Sequence, residues 1–125
     1  MSARYNAIVW INHREAEVFH VNAAEDIKLV IDSHTSVQRL HHQGHPDGTA
    51  HQPVDTEFFA RIVAALNHTG GTLIAGPGEA KHEFDRYLNL NRPDLAARAL
   101  ILPTNEHPND AELIALAREH FHVSA

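Results

Sequence analysis

Residues 70–84 read Gly-Gly-Thr-Leu-Ile-Ala-Gly-Pro-Gly-Glu-Ala-Lys-His-Glu-Phe. Thr72 to Ala75 form a short apolar run, which suits a fully buried strand. Gly76-Pro77-Gly78 then forces a turn, and a helical pattern follows it. A strand with two apolar faces that enters a helix at once belongs in a sheet covered by helices. The rest of the chain must supply the other strands and those helices.

Upstream of this stretch, Phe58, Phe59, Ile62, Val63 and Leu66 make a continuous helical stripe. Asp55 is placed to cap that helix and Gly70-Gly71 to stop it. Nearer the N-terminus, residues 7–11 and 16–21 are β-rich runs separated by Asn12-His13-Arg14-Glu15, short enough for a hairpin. Residues 26–31 predict a third strand, with Ile27, Leu29 and Ile31 on one face and Lys28 on the other, the alternation of an edge strand with one wet side. Downstream, Ala80, Phe84, Tyr87 and Leu88 share a helical face. Arg92-Pro93 ends that helix and opens a short helical turn, and residues 99–102 predict the fifth strand. Asn109 with Glu112 three residues later predicts a capping box for a last helix, with Leu113, Ile114, Ala117 and Phe121 as its buried stripe. Three antiparallel strands joined to two parallel ones by right-handed helical crossovers predict an α/β fold. Its sheet is mixed and five-stranded, in order 3-2-1-4-5 with helices on its faces, a ribonuclease-H-like layout.

The chain has 125 residues and 43% hydrophobic content, enough for a packed core, so residues 1–125 are expected to form a single domain. It contains no cysteine, which excludes disulfides, thiolate metal sites and cysteine nucleophiles. No stretch approaches the ~20 apolar residues of a membrane span, and the expected compartment is the cytoplasm. Ten Lys plus Arg against sixteen Asp plus Glu give a formal charge of −6, which argues against loose, charge-driven binding to nucleic acid. Any RNA contact must be local. Twelve histidines make this balance depend on pH, because an ordinary histidine gains its proton near pH ~6.5.

Residues 32–53 carry no strand or helix period over most of their length, and a loop of that size in a small domain is usually functional or disordered. His34, His41, His42, His45 and His51 lie in it, and imidazole is a common zinc and nickel ligand. No helical His-x-x-x-His pair completes a metal set, so a solvated loop is the plainer reading. Arg39 and Gln43 with these histidines equally suit RNA, through hydrogen bonds, stacking and phosphate pairing. Gly76-Pro77-Gly78 before a helix suggests a phosphate cradle, but Pro77 removes a donor and Glu79 places a negative charge there. A two-metal nuclease needs converging acids, whereas the first strand ends at Asn12 and residues 72–75 carry none. Trp10 reads as sheet packing. No nucleophile elbow supports a triad through Ser33 or Ser36. No enzyme, cofactor or small-molecule substrate is indicated.

Residues 75–84, with an apolar strand, a Gly-Pro-Gly turn and Lys-x-Glu-Phe on the helix, resemble the middle domain of archaeal and eukaryotic class-1 peptide-chain release factors. Lys81, Glu83 and Phe84 match that motif residue by residue. The chain also resembles the small bacterial relatives often labelled translational machinery or host attachment proteins, through Trp-Ile-x-His-Arg-Glu-Ala at residues 10–16 and His-Pro-x-Asp at residues 107–110. The resemblance implies docking on the ribosome or rRNA, with Arg39, His41, His42, Gln43, His45, His51 and Lys81 as contacts and no metal. Release factors carry a Gly-Gly-Gln tripeptide in the loop before the first helix. Here that interval reads Leu40-His-His-Gln-Gly-His-Pro-Asp-Gly48, so peptidyl-tRNA hydrolysis is not expected. The leading expectation is a non-catalytic, translation-associated module. The alternative is a small metal-binding or protein-interaction domain unrelated to translation, and the exposed third strand leaves a homodimer open.

Overall fold

An asparagine closes each of the two hairpins that start the fold. The Asn12 side-chain Oδ1 accepts from the amides of Arg14 and Glu15, while its own amide donates to the Glu15 carbonyl. Asn22 repeats the device with Ala24 and Glu25. Asn suits this because its short side chain mimics a backbone turn. These hairpins join β1 (Tyr5–Ile11), β2 (Glu15–Val21) and β3 (Asp26–Asp32) into an antiparallel meander. The computed structural model describes residues 5–22, 24–33, 56–67, 69–103 and 108–121.

Helix α1 (Thr56–Leu66) leads into β4 (Thr69–Ala75), which pairs parallel to β1. Helices α2 (Ala80–Asn91) and α3 (Pro93–Ala96) lead into β5 (Ala99–Ile101), parallel to β4, and α4 (Asp110–His120) ends the described fold. The sheet order is β3-β2-β1-β4-β5, as the element pattern predicts. Asp55, the expected cap of α1, lies outside the described residues.

Strand β1 divides the core in two. Ala7, Val9 and Ile11 point to one face, where Phe58, Phe59, Ile62, Val63 and Leu66 of α1 and Phe84 and Leu88 of α2 cover them. Ile8 and Trp10 point to the other, packed with Phe19, Leu73 and with Leu113 and Ala117 of α4. A central strand covered on both faces must be apolar at every step, which is why its sequence shows no alternation. Full burial of each large side chain here contributes roughly 1.5–3 kcal/mol. Trp10 is core, as expected of its position between Val9 and Ile11.

Two local expectations are revised. Gly70 and Gly71 do not stop α1. The helix ends at Leu66, where the Thr69 hydroxyl donates to the Leu66 carbonyl at 2.6 Å, and both glycines belong to β4. A Cβ at Gly71 would collide with the Phe121 ring at the end of α4, so only glycine fits there, and its amide donates to Asn6 Oδ1 at 2.8 Å. The second revision concerns β3. Ile27, Leu29 and Ile31 do share a face, but Ile27 and Leu29 are exposed, as is Val30 on the opposite face. The capping box forms as expected: Asn109 Oδ1 accepts from the Glu112 amide at 2.8 Å, and Glu112 Oε1 accepts from the Asn109 amide at 2.9 Å. Arg92 closes α2 and opens α3, gripping Asp94 through two bonds of 3.0 and 2.9 Å and reaching Asn67 at 3.1 Å.

Candidate functional site

Strands β1, β3, β4 and β5 all end at one edge of the sheet, because each is parallel to β1 or antiparallel to its antiparallel neighbour β2. In open α/β sheets the carboxyl edge of the strands is where ligands bind. The β1–β2 turn, the turn after β4 and the first residues of α2 therefore meet here. Ser33, just past the end of β3, is tied to this edge by its amide, which donates to the Arg14 carbonyl at 2.8 Å. Arg39, His41, His42, Gln43, His45 and His51, and the histidine set considered for metal, lie outside the described residues.

Lys81 is the one expected contact residue that is described, and its position differs from that of a free cation facing RNA. It is 7% exposed. Its Nζ donates to the Gly76 carbonyl at 2.7 Å and to the Gly78 carbonyl at 3.0 Å, both in the turn that precedes its own helix. A cation in the first turn of a helix is opposed by the helix dipole, and burial away from water adds to the cost. The two carbonyls offset both by hydrogen-bonding the ammonium. Lys81 is thus a clasp on the Gly-Pro-Gly turn. The turn itself is set by sterics: Gly76 has φ 145° and Gly78 φ 66°, and a Cβ on Gly76 would overlap the Ile11 carbonyl oxygen. The backbone of the turn thereby lies directly against the end of β1.

The same edge brings together two residues that stand 70 positions apart. His13 Nε2 lies 3.0 Å from Glu83 Oε1, linking the β1–β2 turn to the first turns of α2. His13 belongs to the opening Trp-Ile-x-His-Arg-Glu motif and Glu83 to Lys-x-Glu-Phe. Their occurrence in the two motifs was the available signal, but nothing in either motif says that they touch. Phe84, the last residue of the second motif, is buried and meets Phe59 edge-on at 5.4 Å. Its role is to seat α2 on α1. Asn12, where a nuclease would need an acid, is spent on its turn.

Among the described residues no group of three or more His, Asp or Glu side chains converges as a metal site. No helix there is long and apolar enough to cross a membrane. A shallow open groove of about 510 Å³ lies at the other end of the sheet, lined by Asp26, Ile114, Arg118 and Glu119 among others. Arg118 there donates to the Asn22 carbonyl at 3.1 Å and stands 3.6 Å from Asp26, so its guanidinium holds α4 to the β2–β3 turn.

No protein-family model matches the chain. It is 30% identical over 76 residues to the protein pelota homolog of Methanosarcina acetivorans, covering 58% of this chain and 22% of that protein. The pelota homolog of Methanosarcina barkeri matches over the same extent at the same identity. The chain therefore spans about a fifth of the length of these curated relatives. Among solved structures, Archaeoglobus fulgidus Pelota superposes with a TM-score of 0.63 at 18% identity, over 93% of this chain and 31% of that one. Thermoplasma acidophilum Pelota also gives 0.63, at 17% identity, over 98% and 35%. An archaeal translation termination factor gives 0.54, at 18% identity, over 93% and 35%. The chain is similar in sequence to archaeal Pelota homologues, and it shares its fold with a part of Pelota and of an archaeal termination factor.

Proposed function

We propose that the chain is a non-catalytic, translation-associated module that docks on the ribosome or its RNA through the His-rich segment 32–53. The observation that carries this reading is the fold it has in common with Pelota and an archaeal termination factor. Residues 10–16 and 107–110 support grouping it with the small bacterial relatives of release factors, and a translation role implies the cytoplasm. Arg39, His41, His42, Gln43, His45 and His51 supply the contacts. Lys81 serves them indirectly by fixing the Gly-Pro-Gly turn at the carboxyl edge of the sheet.

The chain contains no Gly-Gly-Gln, so the module binds without hydrolysing peptidyl-tRNA. Within residues 32–53, five histidines and Arg39 face two acids, Asp32 and Asp47. Protonation turns this nearly neutral segment basic. Cosedimentation with ribosomes tests the reading: binding rises as pH falls from ~7.5 to ~6 around the ordinary histidine value and weakens with salt. It is lost when the segment is replaced by a short Gly-Ser linker, and blunted in a His41→Ala/His42→Ala/His45→Ala variant. Binding that is flat across this pH range, or equal in the triple variant, rules out the electrostatic contact. Peptide release above background from programmed ribosomes, abolished by Gln43→Ala, rules out the non-catalytic assignment.

A further inference from the structure

Strand β3 pairs with β2 over all seven of its residues and, among the described residues, has no strand on its other side. The hydrogen-bond phase of the pair is fixed at both ends. The Ser33 amide donates to the Arg14 carbonyl, and the Asn22 amide donates to the Glu25 carbonyl. Odd-numbered residues of β3 therefore turn their backbone groups toward β2, and Asp26, Lys28, Val30 and Asp32 present theirs outward. Of the five exposed large hydrophobic residues described, three are on this strand: Ile27, Leu29 and Val30, the last 56% exposed. An open edge that carries exposed apolar side chains is a template for another strand.

We propose that β3 pairs antiparallel with β3 of a second copy of this chain, about a two-fold axis through Val30, to form one continuous sheet across the dimer. Symmetric pairing about one axis is the commonest way for soluble chains to associate, and charge decides among the registers. An axis through Leu29 sets Asp26 against Asp32 twice. An axis through Lys28 sets two ammonium groups against each other. An axis through Ile27 or Ile31 leaves much of the strand unpaired. The axis through Val30 places Lys28 opposite Asp32 on both sides, Leu29 opposite Ile31, and the most exposed apolar residue of the strand against its own copy. Outward backbone groups face outward backbone groups, as the ladder requires. Asp32 has no hydrogen-bond or ion-pair partner within the chain among the described residues, so its carboxylate is free to take a cation. Lys28 bonds Asp110 at 3.0 Å, stands 4.0 Å from Glu17 and lies over the Phe19 ring, so it projects on the α4 face with donors to spare. A lysine in an edge strand ordinarily repels a partner. Here the carboxylate that answers it lies four residues along, which makes the lysine a selector of register.

The test is the mass of the full chain in solution, measured by equilibrium sedimentation from micromolar to millimolar concentration, with cross-linking to read the register. The expected result is a reversible dimer. Lys28→Glu weakens it about tenfold or more, by turning two attractive cross-strand pairs into repulsive ones. The double variant Lys28→Glu/Asp32→Lys restores it, while Asp110→Asn, which removes the internal partner of Lys28, leaves it intact. Because the chain has no cysteine, Val30→Cys provides a single thiol. Two such thiols in a hydrogen-bonded antiparallel pair have Cα atoms ~5.5 Å apart, within disulfide reach. Under a mild oxidant Val30→Cys cross-links faster than Leu29→Cys or Lys28→Cys. One-chain mass at every concentration overturns the proposal. Faster cross-linking at Leu29 or Lys28 than at Val30, or failure of the charge exchange to restore dimerisation, overturns the register. Circular dichroism of each variant separates loss of pairing from loss of fold.

Discussion

Gly76→Ala is expected to be the most damaging single methyl group that can be added to this chain. Two costs combine at this position. The φ of 145° lies where L-residues are strained, which costs about 1–3 kcal/mol. The added Cβ also meets the backbone oxygen of Ile11 on the central strand β1. That oxygen cannot swing aside as a side chain does, and forced backbone shifts of this kind cost about 1–3 kcal/mol. The expected loss is roughly 2–5 kcal/mol, a large share of the ~5–15 kcal/mol that holds a typical domain together. Gly78→Ala is the internal control. Gly78 is also left-handed, at φ 66°, but a Cβ there meets nothing within 4 Å. Its loss should be about 1–2 kcal/mol, the conformational cost alone. Urea unfolding followed by the fluorescence of Trp10, the single tryptophan of the chain and buried in the core, reads both values. If the two variants fall within about 0.5 kcal/mol of each other, the turn is not wedged against the end of β1.

Three further outcomes follow from the same contacts. Lys81→Met keeps the stem packed but removes the donors to the Gly76 and Gly78 carbonyls, and should cost about 1–3 kcal/mol in urea unfolding; an unchanged midpoint would show that the clasp is dispensable. Asn109→Ala breaks both bonds of the α4 capping box and should cost ~1 kcal/mol, with Asn109→Ser recovering most of it. The Arg92 guanidinium beside Asp94 holds that carboxyl down from 3.8 to about 2. A carboxylate so depressed supports the fold above its ordinary value and gives that support up as pH falls through about 2. Asp94→Asn should therefore be less stable than the parent at pH ~7 and approach it as pH drops below ~4, read as unfolding midpoints across that range; a difference that does not change with pH would disprove the ion-pair origin.

Much of the fold is legible in the amino-acid order because its signals are local. The apolar run at residues 72–75, the Gly-Pro-Gly turn, the stripe from Phe58 to Leu66 and the Asn109–Glu112 cap each lie within a few turns of chain. Connection lengths and crossover handedness then leave one strand order, and that order is the one observed. Other features need partners distant in sequence, and periodicity carries no trace of them. Gly70 and Gly71 read as a helix stop, yet they are part of β4, and at Gly71 the Phe121 ring, from the far end of the fold, fills the space where a Cβ would sit. Lys81 is expected as an RNA contact, whereas the turn folds its own carbonyls over the ammonium. His13 and Glu83 meet because β1 and β4 are parallel neighbours whose carboxyl ends share an edge. The exposure of β3 follows from the same cause: alternation of residues assigns a side chain to a face, but whether that face is covered depends on where the helices land, which tertiary packing alone decides.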